Sequence, residues 1–327
     1  MKHTQWLTAT AMLWHFGSTL HAAQNSGEYK AVHMLIVPNE YKIPVALSVN
    51  GDTVAVGFAH NVTRLHRLSD APVNGTISIN AYENMGEEKP RTIAVKFFPD
   101  NNLCLVDRIG MIRYARKPYN AIQTKREIGR STFCAAINKD ILCLGFDGDA
   151  VQVVDHFGMP KKRYHGSAAG HVNAIEIVDN KFIVTGNFDG TVAVMDIEQG
   201  DVPVILGDHG DRGKYRNNLY CMAKQDAAVL YTGGNHHEIK LWDIRSRKPM
   251  GEPFTYATTN ALALSKAGYL IAGFGNKIGV FDLRGVIRQP LELLEAGNKT
   301  GCVTALAATD DGGFVSATSN GVVKVWK

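Results

Sequence analysis

One pattern constrains this chain more than any other: a twelve-residue segment that recurs seven times. "TGNFDGTVAVMD" (185–196) matches "TGGNHHEIKLWD" (232–243) position for position, and "SATSNGVVKVWK" (316–327) has the same shape. "AGFGNKIGVFD" (272–282) is one residue shorter, while "LGFDGDAVQVVD" (144–155), "LVDRIGMIRYAR" (105–116) and "VGFAHNVTRLHR" (56–67) diverge further. Successive copies start 39 to 49 residues apart, a spacing that marks an array of repeated supersecondary units.

Each copy runs from small or apolar residues through a turn rich in Gly, Asn and Asp into alternating apolar positions. Val192 and Val194 carry the alternation in one copy, Ile239 and Leu241 in another. Period-two alternation across such a turn predicts a β-hairpin. A further apolar run precedes every copy, from "VALSV" to "VTALAA", and most copies are followed by a polar connection holding another strand candidate. The unit is thus a four-stranded antiparallel sheet, and the chain an all-β array of seven.

These residues resemble the WD40 family of β-propellers. The fullest copy is "GHVNAIEIVDNKFIVTGNFDGTVAVMDIEQG" (170–200), with the family's Gly-His opening at Gly170-His171, a turn Asp at Asp189 and a closing Asp at Asp196. The Trp-Asp ending is complete only at Trp242-Asp243; Met195, Phe281, Val154 and Ala115 stand in its place elsewhere. The resemblance covers residues 29 to 327 and implies a seven-bladed β-propeller of four-stranded antiparallel blades. The chain stops directly after the third strand of the last unit, and "YKAVHMLIV" (29–37) alternates like a strand. In this family such an N-terminal strand completes the last blade and closes the ring, which removes free sheet edges.

The resemblance also implies roles for single residues. His171, Thr185 and Asp189 correspond to members of the family's structural hydrogen-bond network, which lacks its indole here because Met195 replaces the Trp. A His with an Asp and a Thr also fits a catalytic triad, but the repeat register makes these positions a staple within one blade. Trp242 and Asp243 close the fifth blade.

The adjacent pair His236-His237 invites a metal reading. In register, however, His236 aligns with Asp189 and Asn320, and His237 with Gly190 and Gly321. Successive residues of an extended segment point to opposite sides, so the pair would need a further ligand from a neighbouring connection such as that of His209 or His165. A turn is the expected role, and neither a metal nor a cofactor is expected.

Three consecutive connections between blades are basic and lie on the same side as those turns. They supply Lys125, Arg126 and Arg130; Lys161, Lys162 and Arg163; and Arg212, Lys214 and Arg216, with Tyr119, Tyr164 and Tyr215 interleaved. Arg and Tyr are enriched at interface hot spots, so the set is a candidate patch for an acidic protein surface, a sulfated or acidic glycan, or nucleic acid held nonspecifically through its phosphates. The competing reading makes Lys161–Arg163 an outer strand whose charges discourage edge pairing. Asn173, Tyr220, Asn260 and Thr304 are expected at the entrance of the central channel.

The remaining features exclude more than they assign. A formal net charge of +4 spread over the chain does not make the concentrated basic stripe of a nucleic-acid binder. No Walker loop, GxSxG elbow or HExxH helix occurs, and no catalytic residue is nominated. The odd count of five cysteines, each in an apolar run, speaks against a disulfide scaffold or zinc ribbon. "MKHTQWLTATAMLWHFGSTLHAA" (1–23) has the basic start, apolar middle and small-residue end of a secretory signal peptide, although its diluted middle also suits an uncleaved tail. It is too short and polar for a membrane span. The expectation is a signal peptide over 1–23 and one propeller domain over 24–327, in the periplasm or outside the cell, with a cytoplasmic location if the leader is retained. The expected function is a monomeric, non-enzymatic protein-binding scaffold; the rival is an exported enzyme or glycan binder with a site at the channel.

Overall fold

The computed structural model describes residues 29–35, 43–59, 62–68, 77–80, 91–98, 100–119, 122, 124–128, 131–138, 140–148, 150–155, 158–165, 171–199, 202–209, 218–255, 257–284, 290–297 and 299–327. The segment expected to be a signal peptide lies outside them.

The first strand, β1 (Ala31–Leu35), stands apart from the blade that follows it. Blade 1 comprises β2 (Pro44–Asn50), β3 (Thr53–Phe58), β4 (Val62–Arg67) and β5 (Ile77–Asn80). Blade 2 comprises β6 (Thr92–Phe97), β7 (Leu103–Asp107), β8 (Met111–Ala115) and β9 (Thr124–Glu127). Blade 3 comprises β10 (Thr132–Ile137), β11 (Leu142–Phe146), β12 (Ala150–Val154) and β13 (Pro160–His165). Blade 4 comprises β14 (Val172–Val178), β15 (Phe182–Asn187), β16 (Thr191–Asp196) and β17 (Val204–Asp208). Blade 5 comprises β18 (Leu219–Lys224), β19 (Val229–Gly234), β20 (Glu238–Asp243) and β21 (Lys248–Thr255). Blade 6 comprises β22 (Thr259–Leu264), β23 (Tyr269–Phe274), β24 (Lys277–Asp282) and β25 (Glu292–Glu295). Blade 7 comprises β26 (Val303–Ala308), β27 (Phe314–Thr318) and β28 (Val323–Trp326), with β1 as its fourth strand.

Every sheet is a simple antiparallel meander apart from that last one. The first strands of the blades touch in the sequence β2, β6, β10, β14, β18, β22, β26 and back to β2. Seven sheets therefore close into a ring with their first strands innermost, a seven-bladed β-propeller. The closing strand sits within the segment expected from the sequence: Met34 lies opposite Lys324 and Leu35 opposite Val323. Lys30 and Lys327 exchange backbone hydrogen bonds of 2.9 and 3.1 Å. Tyr29 anchors the entry, its ring 5.2 Å from Phe314 and 6.1 Å from Tyr269, its hydroxyl donating to the Gly312 carbonyl at 3.2 Å.

The apolar alternation seen in the sequence is spent between blades. Buried residues fall into seven clusters, one at each seam. Val54, Val56 and Phe58 of blade 1 meet Val315, Val323 and Val325 of blade 7, and Tyr231, Ile239 and Phe254 of blade 5 meet Leu270, Ala272 and Phe281 of blade 6. Burying both faces of each blade supplies the driving force that a lone four-stranded sheet lacks. The closing carboxylates of the repeats serve the turns after the third strand. Asp243 Oδ1 accepts from the Arg245 and Ser246 amides at 2.9 and 3.0 Å, and Asp196 Oδ1 accepts from Glu198 and Gln199 at 2.9 and 3.1 Å.

Candidate functional site at the channel mouth

The pairing of first with second strand slips by one residue at the same place in all seven blades, as between Val172 and Ala174 or between Leu219 and Cys221. The extra residues are Val45, Ile93, Phe133, Asn173, Tyr220, Asn260 and Thr304. A bulge leaves its extra residue out of the ladder and re-aims its side chain. Seven bulges on the innermost strands therefore make a ring at one mouth of the channel. Asn173, Tyr220, Asn260 and Thr304, expected at the entrance from the repeat register, all belong to it. Val45, Ile93 and Phe133 were not legible as members, because nothing in their local sequence distinguishes a bulge from a regular strand position. The bulged ends pair with the ends of the second strands, so the turns between second and third strands surround the same mouth.

Blades 2 to 4 stack their turns there. The Arg108 guanidinium lies 4.4 Å over the Phe133 ring, which stacks on His171 at 4.6 Å and 14°. His171 in turn meets Phe188 edge-on at 5.4 Å, and its Nδ1 bonds Asp147 Oδ1 at 2.5 Å. The His171 ring thus bonds the turn of the preceding blade, while its carbonyl accepts the Phe188 amide in the turn of its own blade at 2.9 Å. Asp189 is taken up locally, its Oδ1 accepting from the Thr191 amide at 3.0 Å and hydroxyl at 2.7 Å. Thr185 is buried beside the blade's third strand. The physical reason is Met195, a thioether packed in the seam between blades 3 and 4. With no indole to orient Thr185, nothing draws the His171 ring inward.

Blade 5 does build the network, with a residue the repeat pattern did not single out. Trp242 Nε1 donates to Thr232 Oγ1 at 2.7 Å, and Thr232 Oγ1 bonds His209 Nε2 at 2.6 Å. His236, where the fourth and seventh copies carry Asp189 and Asn320, folds inward and lies with its ring centroid 3.8 Å from that of His209, at 47°. Gly234 makes room for it, since a Cβ there would strike the Asn218 carbonyl and the His236 ring. His237 takes the turn position itself with φ of 62°, where Gly110, Gly190 and Gly321 have 79°, 85° and 87°. Burial, with smaller contributions from His236 and Lys240, pushes His209 down to about 2; burial, with Lys240 and His237, pushes His236 down to about 4.

The pair does not make a metal centre as it stands. Two imidazoles that share one zinc through nitrogens at about 2.0–2.1 Å hold their centroids about 5 Å apart, well beyond the separation here. Among the described residues no group of three or more His, Cys, Asp or Glu could hold a metal ion. All five cysteines are free; burial pushes the Cys104 thiol up to about 12 and raises Cys134, Cys143 and Cys221 as well. Such thiols are packing groups and not nucleophiles at neutral pH.

The basic candidates among the described residues lie on outer strands. Lys161, Lys162 and Arg163 lie in β13, the outer strand of blade 3, with Val153 opposite Lys162 and Gln152 opposite Arg163. They are an edge strand on the circumference and not a connection on the loop face. Arg126 lies in β9, the outer strand of blade 2, and its stem packs against Gly158. Two of the tyrosines expected between them are committed elsewhere: Tyr164 is buried and donates to the Ile197 carbonyl at 3.1 Å, and Tyr119 is buried and donates to Asn101 O at 2.5 Å, while Tyr215 lies outside the described residues. Arg130, Arg212, Lys214 and Arg216 lie outside the described residues. Among the described binding candidates Tyr220 stands at the mouth, 40% exposed.

Comparisons with known proteins agree with this architecture. Residues 289–327, which include the outer strand of blade 6 and the first three strands of blade 7, match the family model of the WD domain, G-beta repeat. A search of curated proteins finds no match. Solved structures of similar fold run to 1730 chains, so the likeness carries architecture and not activity. Among them is the crystal structure of the WD40 β-propeller domain of Doa1, which aligns with a TM-score of 0.72 over 91% of this chain and 96% of that one, at 12% identity.

Proposed function

We propose that this WD40-type propeller is a non-enzymatic interaction module that recognises a partner protein across the bulge-ringed mouth, at the sector of blades 2 to 5. The observation that supports this best is the continuous row Arg108, Phe133, His171 and Phe188, flanked by the exposed Tyr220. Aromatic and guanidinium groups pre-ordered by mutual stacking at strand ends lose little entropy on binding, and Arg and Tyr dominate interface hot spots. The Arg108 charge at the head of the row favours an acidic segment in the partner. A charge-dense outer strand such as β13 is read instead as protection of a sheet edge.

The experiment is a pull-down of wild type beside Phe133→Ala, Tyr220→Ala and Arg108→Glu, each first checked for an unchanged thermal melt. Loss of the same partners from all three supports the mouth. Unchanged partner lists, with loss instead in a Lys161→Glu/Arg163→Glu variant, would move the interface to the rim. The protein is read as working outside the cytoplasm as a single copy. N-terminal sequencing of the native protein and light scattering in solution test those two points; a start at Met1 overturns export, and a concentration-independent dimer overturns the single copy.

A further inference from the structure

Blade 5 holds an arrangement that the binding reading does not use. His209 is fully buried, its Nε2 engaged by Thr232 and its Nδ1 without a hydrogen-bond partner among the described residues. Against it lies His236, neither of whose ring nitrogens has a partner among the described residues. In the fourth and seventh copies this turn position holds Asp189 and Asn320, side chains that accept a proton donor and, for Asp, hold a positive charge. An imidazole at 3.8 Å does the reverse. We infer that the His209–His236 pair is an acid-sensitive latch: with both rings neutral the turn Asn235–His237 stays folded onto the blade, and proton uptake by the pair releases it.

The surrounding charges favour the neutral state. Lys240 of β20 faces the pair, its ammonium donating to the Asp208 carbonyl at 2.9 Å and lying 3.5 Å from Glu238 Oε2. His237 adjoins on the turn. From blade 4, the Gly190 carbonyl accepts the His209 amide at 3.1 Å, while the neighbouring Asp189 carboxylate is occupied by Thr191. Neither carboxylate takes the place of a partner on the rings. Both pKa values lie below the ordinary histidine range, so the stabilisation is fully present above about pH 6.5. It is lost as pH falls through about 4 for His236 and about 2 for His209.

Amide hydrogen exchange of the full chain tests this without any partner, so its outcome is independent of the binding proposal. The reporters are the His209 amide, which donates to Gly190, and the Asn235 amide, which donates to the Asn218 carbonyl at 3.1 Å. Between pH 6 and pH 5, after correction for intrinsic rates, opening at these amides should rise by more than about eightfold, the limit for one histidine, and by up to about fifty-fold for two. His236→Asn should hold the rise to about eightfold or less. His236→Asp, which gives His209 a carboxylate, should abolish it. Three results would overturn the latch: unchanged opening in the wild type, a full rise retained in both variants, or an equal rise at amides of all seven blades, which is global melting.

Discussion

Blades 2 and 5 fasten the same turn by opposite chemistry. In blade 5 the fastener is neutral: the Trp242 indole, the Thr232 hydroxyl and the His209 imidazole bonded in a row. In blade 2 Ala115 and Leu105 stand where Trp242 and Thr232 do, and the work falls to an ion pair. Arg113 Nη1 lies 2.8 Å from Asp107 Oδ2, with the two side chains 1% and 0% exposed. Asp107 Oδ1 also accepts from the Ile109 and Met111 amides at 3.1 and 2.9 Å, tying the pair to the turn. The comparison teaches that a blade without its family motif is not an unfastened blade. It has exchanged hydrogen bonds of modest net worth for charges that are costly to desolvate and costlier to leave alone.

The largest effect that sharpens this contrast should come from Asp107→Ala, which strands a buried guanidinium. Urea unfolding should show a loss of about 3–5 kcal/mol, most of it recovered in Asp107→Leu/Arg113→Met. A loss below about 1 kcal/mol would mean that the pair fastens nothing. Thr232→Val should cost about 2 kcal/mol, because it leaves the Trp242 indole and His209 without their shared partner; an equal or larger loss than Asp107→Ala would erase the distinction between the blades.

Blade 1 extends the comparison to pH. His66 stands at the Trp242 position, buried, with neither ring nitrogen partnered among the described residues. Burial, aided by Arg64, pushes it down to about 4, so its contribution is present above about pH 6.5 and fades below. His66→Leu should therefore reduce the stability lost between pH 7 and pH 5 by about 2 kcal/mol. The Asp107→Leu/Arg113→Met variant should leave that pH loss unchanged, and thermal melts at both pH values check the two together. The smallest effect belongs to His237→Gly, which relieves a left-handed backbone and should add about 1 kcal/mol or less.

Legibility in the sequence followed the range of the interaction. The turn register of His236 and His237 could be read because it depends on neighbours a few residues away, and φ of 62° at His237 obeys it. That His236 folds inward onto His209 could not, since the two are joined only through the packed blade. Arg113 was in plain view in "LVDRIGMIRYAR", yet nothing local marks it as buried. Lys161–Arg163 had two readings, connection or edge strand, and only pairing with β12 decided between them.

By itself, then, the sequence determined the repeat, its sevenfold count, the strand order within a unit and the closure by residues near the start. The first three are encoded by period-two alternation and turn residues, which act within about ten positions; the closure was implied by the family resemblance. The tertiary structure alone decided which side chains share a seam, where each first strand bulges, and whom each histidine meets. His171 finds Asp147 in the preceding blade, and His209 finds Thr232 across a connection and a strand. Those choices depend on which neighbouring group can satisfy a buried donor or acceptor, and that is settled only when the ring has closed.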